Sequence, residues 1–297
     1  MVALAARRSA KSTSARRAAR QAPAKLLQEL SADQWVSYPR AVQILERIEE
    51  LLTIPVRVRM PNILVHGPSG AGKSMILEKF RRDHPSSLNP NFRGARLVTV
   101  QMPAFPSLKS FYSELLRNLE CATIAGGRLA ELENTALQRL ERLQPRIIFI
   151  DEIHHLLACA PREQRTALNV LKFLSNQFHL SIVAAGTSDA LYVMRTDPQI
   201  ANRFESWPLK PWALSEDLRR FITGFFEPLG IDADGIVSSA VPLEYLLELT
   251  AGITGRIVEL MRLAARCAIA QSDTKLTLEH LQNAGRQFAS DLSTAAP

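Results

Sequence analysis

One octapeptide constrains this chain more than any other feature. Gly67-Pro68-Ser69-Gly70-Ala71-Gly72-Lys73-Ser74 has the spacing G-x-x-x-x-G-K-[ST], and it stands directly between the apolar run Asn62-Ile63-Leu64-Val65-His66 and a helical pattern. Glycines at these positions let the backbone curl until successive N–H groups converge, and a helix opening near Gly72 adds the positive end of its dipole. Such a bend binds phosphate. In a loop of this kind Lys73 meets the β- and γ-phosphates, and the Ser74 hydroxyl is placed to ligate Mg2+. A triphosphate such as ATP would therefore lie over residues 67 to 74 and the next helical residue, Met75.

A second element follows the same logic. Ile147-Ile148-Phe149-Ile150-Asp151-Glu152 is an apolar strand ending in two carboxylates. Asp151 would complete the Mg2+ shell. Adjacent strand-end residues point in different directions, which lets Glu152 face the γ-phosphate and polarise an attacking water as general base. Thr187 follows a third apolar run, at the strand edge where open α/β sheets bind ligands. Its hydroxyl either senses the γ-phosphate or caps the next helix together with Ser188 or Asp189. Arg203 and Arg256 are candidate charge stabilisers for phosphoryl transfer, set against the ordinary role of arginine as a solvated surface residue.

Other chemistries fail on spacing. Glu152-Ile153-His154-His155 is not H-E-x-x-H, and helical periodicity sends neighbouring histidines about 100° apart, which predicts that they cannot chelate one ion. Gly67-Pro68-Ser69-Gly70-Ala71 misses G-x-S-x-G at its last position. The three tryptophans, Trp35, Trp207 and Trp212, are too scattered for a base-stacking platform and are expected to pack.

The pattern around these motifs is α/β. Apolar runs at 62–66, 97–100, 147–150 and 180–185 alternate with helical patterns at 107–119, 128–143, 152–158, 162–177 and 188–194, behind an amphipathic helix over 39–53. Strands alternating with helices imply a parallel sheet covered on both faces. Beyond Pro208 and Pro211 only helical patterns remain, from Leu214 to Phe288. This gives a tail at 1–28, an N-terminal helical segment at 29–60, a nucleotide-binding α/β core at 61–212, a helical lid at 213–291 and a C-terminal tail at 292–297.

Charge locates a further function. The net charge of +7 arises from 36 basic and 29 acidic residues. Residues 1–28 contain Arg7, Arg8, Lys11, Arg16, Arg17, Arg20 and Lys25 and no acid, so the excess sits in the tail and the rest is neutral. A basic arm on a neutral body points to a polyanion, most often nucleic acid, bound through phosphates because no recognition-helix or finger motif is visible. Lys109 and Arg117, on the helix after the second strand, are further candidate DNA contacts. An Arg-rich, Ser-rich, acid-free N-terminus is also the composition of a transit peptide, and of a merely solvated tail. No apolar run reaches the roughly 18 residues of a membrane span, so no membrane partner is expected. Three widely spaced cysteines without a CxxC pair support neither a disulfide framework nor a zinc knuckle, and they suit a reducing cytoplasm.

The phosphate loop, the Asp-Glu strand end, the polar third strand, Arg203 and the Gly255-Arg256 pair in a helical domain together resemble an AAA+ ATPase. Within that superfamily, Tyr38-Pro39-Arg40-Ala41, Arg59-Met60-Pro61-Asn62-Ile63-Leu64 and Gln101-Met102-Pro103 resemble the TniB family of transposition ATPases, over about residues 35 to 290. The resemblance implies a P-loop AAA+ parallel sheet flanked by helices, with a C-terminal all-helical lid. It implies Thr187 as first sensor, Arg203 as a finger for a neighbouring subunit and Arg256 as second sensor. It also implies a homo-oligomer, as ring or helical filament, that assembles with ATP on double-stranded DNA and directs a TniA-like DDE transposase, as relatives such as TnsC and MuB do. A replication helicase loader or initiator would share every nucleotide residue. A nucleotide-holding scaffold or a secretion ATPase would share them without touching DNA.

Overall fold

The structure is a computed structural model, and it describes residues 25–85, 97–119 and 127–294. The six arginines and lysines from Arg7 to Arg20 that were expected to contact DNA lie outside these residues. The chain divides into two compact units, one over Pro39–Pro211 and one formed by Trp212 onward together with the residues up to Tyr38. The helix at 39–53, read from sequence as part of a separate N-terminal segment, thus belongs to the first unit.

That unit is built on five parallel strands: β1 (Asn62–His66), β2 (Leu97–Gln101), β3 (Ile147–Asp151), β4 (Ser181–Gly186) and β5 (Phe204–Pro208), in the order β2-β3-β4-β1-β5. β1 and β4 are buried throughout and β3 at its first four residues, which is why they read as unbroken apolar runs. Among the described residues, five helices of eight or more residues belong to the unit: α1 (Pro39–Thr53), α2 (Lys73–Asp83), α3 (Leu108–Asn118), α4 (Leu129–Leu143) and α5 (Pro161–Gln177). α1 turns Ala41, Ile44, Ile48 and Leu51 inward, and the Arg146 guanidinium donates to the carbonyls of Leu52 and Ile54 at its C-terminal end. α3 begins at a reciprocal cap: the Ser110 amide donates to Ser107 Oγ at 3.0 Å and the Ser107 amide to Ser110 Oγ at 2.8 Å.

Two local features depart from the sequence reading. Residues 153–158 form a 3-10 helix (Ile153–Ala158) rather than part of an α-helix. β5 was not anticipated, because it is an edge strand with no fully buried residue: Glu205 and Ser206 are exposed and Pro208 ends it, so it carries neither an apolar run nor clean alternation. It is fixed instead by pairing with β1 from Asn62↔Phe204 to His66↔Pro208, by the His66 Nε2 to Ser206 Oγ bond of 2.8 Å and by Arg40. Arg40 lies 4.5 Å above the Trp207 ring and donates to the Pro208 carbonyl at 3.2 Å, which gives the Tyr38-Pro39-Arg40-Ala41 motif a structural role.

The second unit is helical, with Glu216–Phe226, Ala240–Thr250, Thr254–Ala270 and Leu278–Thr294 as its longer helices. The last of these runs three residues past the expected end of the lid at 291. Its core gathers Leu218, Phe221, Phe225, Leu260, Met261 and Phe288, joined by Leu30 from the helical turn at 25–31. Trp212 packs as expected, 5.0 Å from the Tyr38 ring and 4.9 Å from Phe221. Among the described residues no helix is long and apolar enough to cross a membrane.

Candidate nucleotide-binding site

The strand order decides where chemistry can gather. β4 lies between β1 and β3, so the turn after β1, the acids at the end of β3 and Thr187 after β4 all emerge side by side at the C-terminal edge of the sheet. Within the turn, Gly70 (φ 75°) and Gly72 (φ 92°) hold left-handed backbone that only glycine takes without cost, and Gly72 is the residue from which α2 starts. Gly67 is glycine for a different reason: a Cβ there would sit 2.3 Å from the Leu209 carbonyl oxygen. Gly67→Ala is therefore expected to cost about 1–3 kcal/mol through overpacking. A urea midpoint equal to that of the parent would show that the two backbones can part freely.

Lys73 is buried, and its ammonium donates to the carbonyls of Gly67 at 3.0 Å and Pro68 at 2.8 Å. Two of its three hydrogens are thereby fixed, and one remains for an anion. Burial pulls the Lys73 pKa below that of a free lysine, while Glu152 and then Asp151 oppose the shift. The neighbouring His66 is also held below its usual range, by burial first and then by the positive charges of Lys73 and Arg40. Ser69 and Gly70 are exposed, Pro68 and Met75 are half-buried, and Ala71 is buried under the turn.

The acidic pair meets the turn directly. The Ser74 hydroxyl donates to Asp151 Oδ2 at 2.6 Å, and Asp151 Oδ1 accepts the Glu152 amide at 2.8 Å. Glu152 itself sits at φ 57°, ψ 35°, a left-handed conformation that costs a side-chain-bearing residue about 1–2 kcal/mol. This bend turns the carboxylate out of the strand, to a point where Oε2 is 3.1 Å from His154 Nδ1. Burial, the largest influence, lowers the His154 pKa, against the raising effect of Glu152.

Thr187 makes no capping bond. Its hydroxyl oxygen is buried with no hydrogen-bond partner among the described residues, and the helix after it begins at Asp189 without a side-chain cap bond. A buried hydroxyl left orphaned at a strand edge is an acceptor and donor in want of a ligand. The histidines overturn their reading. Their rings do not diverge: the centroids lie 4.8 Å apart, and one ligand atom from each of Glu152, His154 and His155 falls within 4.8 Å of the others. The His155 Nδ1 bonds to the Met102 carbonyl at 2.9 Å, and the His154 Nδ1 accepts the Thr187 amide at 3.3 Å beside Glu152, so side-chain bonding overrides the spacing of the turn.

The three arginines and the lysine named from sequence lie elsewhere. Arg203 precedes β5, at the N-terminal edge of the sheet, with its guanidinium donating to Asn176 Oδ1 of α5 at 2.9 Å. A strand of this length rises about 3.3 Å per residue, which places Arg203 some ~16 Å from the edge that holds the loop of its own chain. Arg256 is exposed in the first turn of Thr254–Ala270, in the second unit. Lys109 and Arg117 are exposed on α3, and Arg117 is paired with Glu114.

This arrangement has known counterparts. The family profile described as bacterial TniB protein matches residues 26–214, well over half of the chain. The chain belongs to the TniB family. Its fold is that of the AAA+ ATPases: it is similar to the Aeropyrum pernix ORC1 protein in complex with DNA at a TM-score of 0.61 and 17% identity, covering 90% of this chain and 72% of that one. Similarity to Cdc6p of Pyrobaculum aerophilum reaches a TM-score of 0.63 at 15% identity, over 91% of this chain and 74% of that one. A curated relative, the ATP-dependent Clp protease ATP-binding subunit ClpL of Lactococcus lactis subsp. lactis, is 29% identical over 137 residues, 45% of this chain and 16% of that protein's length.

Proposed function

We propose that this TniB-family ATPase hydrolyses ATP at interfaces between copies of itself assembled on duplex DNA. Hydrolysis there regulates transposition, through recruitment or activation of a TniA-like DDE transposase at the target. The observation that carries the reading is the division of labour across the sheet. Lys73, Ser74, Asp151, Glu152 and Thr187 gather at one edge, while Arg203 stands at the other, away from its own chain's loop.

The residues present fit Mg2+, since Ser74 Oγ and the Asp151 carboxylate are hard oxygen donors held 2.6 Å apart. Mg2+ bound by Ser74 and Asp151 would neutralise charge on the β- and γ-phosphate oxygens. Backbone amides of residues 67 to 74 and the start of α2 bind the phosphates, and the third Lys73 hydrogen meets their terminal oxygens. Glu152 takes the proton from the attacking water, and the Thr187 hydroxyl orients the γ-phosphate. Arg203 from the next subunit stabilises the charge that develops in transfer, and Arg256 is a second candidate charge stabiliser. ATP bridging two subunits favours the assembly by mass action, and loss of the γ-phosphate removes the bridge. Cytoplasm, with no membrane contact, is the compartment that suits a DNA partner.

Family membership favours transposition over a replication initiator, which the likeness to ORC1 would equally accommodate. The DNA arm is tested by salt. If all seven tail charges met phosphates, deleting residues 1–28 would flatten the slope of log affinity against log salt by about 6. Fluorescence anisotropy with duplex DNA across a salt series measures it, and an unaltered slope would remove the arm from the interface. Hydrolysis measured with and without duplex DNA and the partner transposase tests the reading as a whole, which requires both to change the rate.

A further inference from the structure

His154 holds a position that the reaction as described does not use. Its Nδ1 lies 3.1 Å from Glu152 Oε2 and 3.3 Å from the Thr187 amide nitrogen, so one ring atom faces the carboxylate assigned as base and the backbone of the residue assigned to the γ-phosphate. The structure makes the amide bond, with Nδ1 as acceptor, and the Glu152 oxygen stands within reach of the same atom; the two uses of Nδ1 exclude each other. A carboxylate oxygen only accepts and an amide N–H only donates, so Nδ1 with its proton serves Glu152 and Nδ1 without it serves Thr187. The ring is held in place for either bond. Its side chain is 20% exposed, and it lies beside His155, which the Met102 carbonyl fixes at 2.9 Å.

Which bond wins follows from strength. A hydrogen bond to a carboxylate is roughly twice as strong as one between neutral groups, so once a terminal phosphate takes the Thr187 amide, the ring proton belongs on Nδ1, facing Glu152. In that tautomer Thr187 has two groups without a protein partner, its amide and its buried hydroxyl. Both stand at the strand edge beside the phosphate loop, where a terminal phosphate supplies the missing acceptor.

We propose that His154 is a positioning residue for ATP hydrolysis, whose Nδ1 orients the Glu152 carboxylate and in doing so releases the Thr187 amide to the γ-phosphate. When the phosphate leaves, the amide returns to Nδ1, the proton moves to Nε2 by exchange with water, and Glu152 loses its tether. His154 thus ties the base to the presence of the group it acts on. The proposal rests on the assignment of Glu152 as base, and its test separates the two.

The experiment compares turnover and ATP affinity for the full-length parent, Glu152→Gln, His154→Phe and His154→Asn. Phenylalanine keeps the ring without a nitrogen, and asparagine restores both a donor and an acceptor at the place of Nδ1. We expect His154→Phe to lower kcat about tenfold with KM and ATP affinity within about twofold, and His154→Asn to recover most of the loss; a purely structural role would move affinity and kcat together and would show no such rescue. An unchanged or increased kcat in His154→Phe overturns the proposal while Glu152→Gln remains inactive, whereas parental turnover in Glu152→Gln overturns the assignment beneath it. Imidazole 15N spectra supply a reading that needs no substitution at 154. Parent protein should carry the proton on Nε2 without nucleotide and on Nδ1 with a slowly hydrolysed ATP analogue bound, and the same tautomer in both states would equally refute the exchange.

Discussion

Lys73→Ala should weaken ATP binding on the order of a hundredfold while leaving a folded protein. The side chain does two things at once. Its ammonium clamps the carbonyls of Gly67 and Pro68, and its remaining hydrogen is the directed positive charge that the turn presents to a phosphate. A hydrogen bond to a charged group is worth about 1.5–3 kcal/mol, and each 1.4 kcal/mol is a factor of ten, so loss of the phosphate contact and slackening of the clamp together reach about two decades. Burial already makes the charged form costly, which is why removal should not destabilise the fold in proportion: alanine relieves a desolvated ammonium as well as deleting its partners. Titration calorimetry with ATP gives the affinity and a thermal scan gives the fold. Parental affinity in a folded variant would place the triphosphate somewhere other than this turn.

The second large effect is expected from mixing two inactive proteins. Glu152→Gln should lose about 10²–10⁴ in turnover through loss of the general base, with ATP still bound. Arg203→Ala should lose about 10³ or more if the arginine acts on a neighbour. Each variant keeps what the other lacks. An interface that pairs the loop of an Arg203→Ala subunit with the arginine of a Glu152→Gln subunit is complete, and random mixing makes half times half, or about a quarter, of the interfaces so. Hydrolysis should therefore return in the mixture to a substantial fraction of the parental rate. Failure to recover any turnover would mean that Arg203 does not serve another subunit. The separation of Arg203 from its own loop by the length of β5 makes this a sharp test.

Residues buried on both faces of the sheet were legible because burial writes itself as an apolar run. β1, β3 and β4 were read to within one residue at either end for that reason, and the phosphate loop because its spacing is set by backbone geometry rather than by context. β5 was not legible. Phe204-Glu205-Ser206-Trp207-Pro208 is an edge strand whose partner supplies the order, and Glu205, Ser206 and the final Pro carry the signature of a loop. The candidate site divides in the same way. Lys73, Ser74, Asp151 and Glu152 follow from local motif, whereas the choice between capping and sensing at Thr187 depends on what surrounds its hydroxyl. The histidines were misjudged because periodicity describes where Cβ points and says nothing of rotamers, and here the Met102 carbonyl and the Thr187 amide choose them. The adjacent His154-His155 pair after Asp151-Glu152 was the available signal, and its meaning needed three dimensions.

The close approach of Gly67 to Leu209 carries a mechanical consequence. With the Leu209 oxygen standing where a methyl group would go, and its amide donating to the His66 carbonyl at 2.7 Å, there is no backlash between the turn and the segment that follows β5. Meshed in this way, the two backbones share their smallest displacements, since packed protein has little compressibility with which to absorb them. The resting shape of the turn is thus governed from a stretch of chain more than a hundred residues away, and stiffening or loosening that stretch retunes the turn without altering a single residue of it.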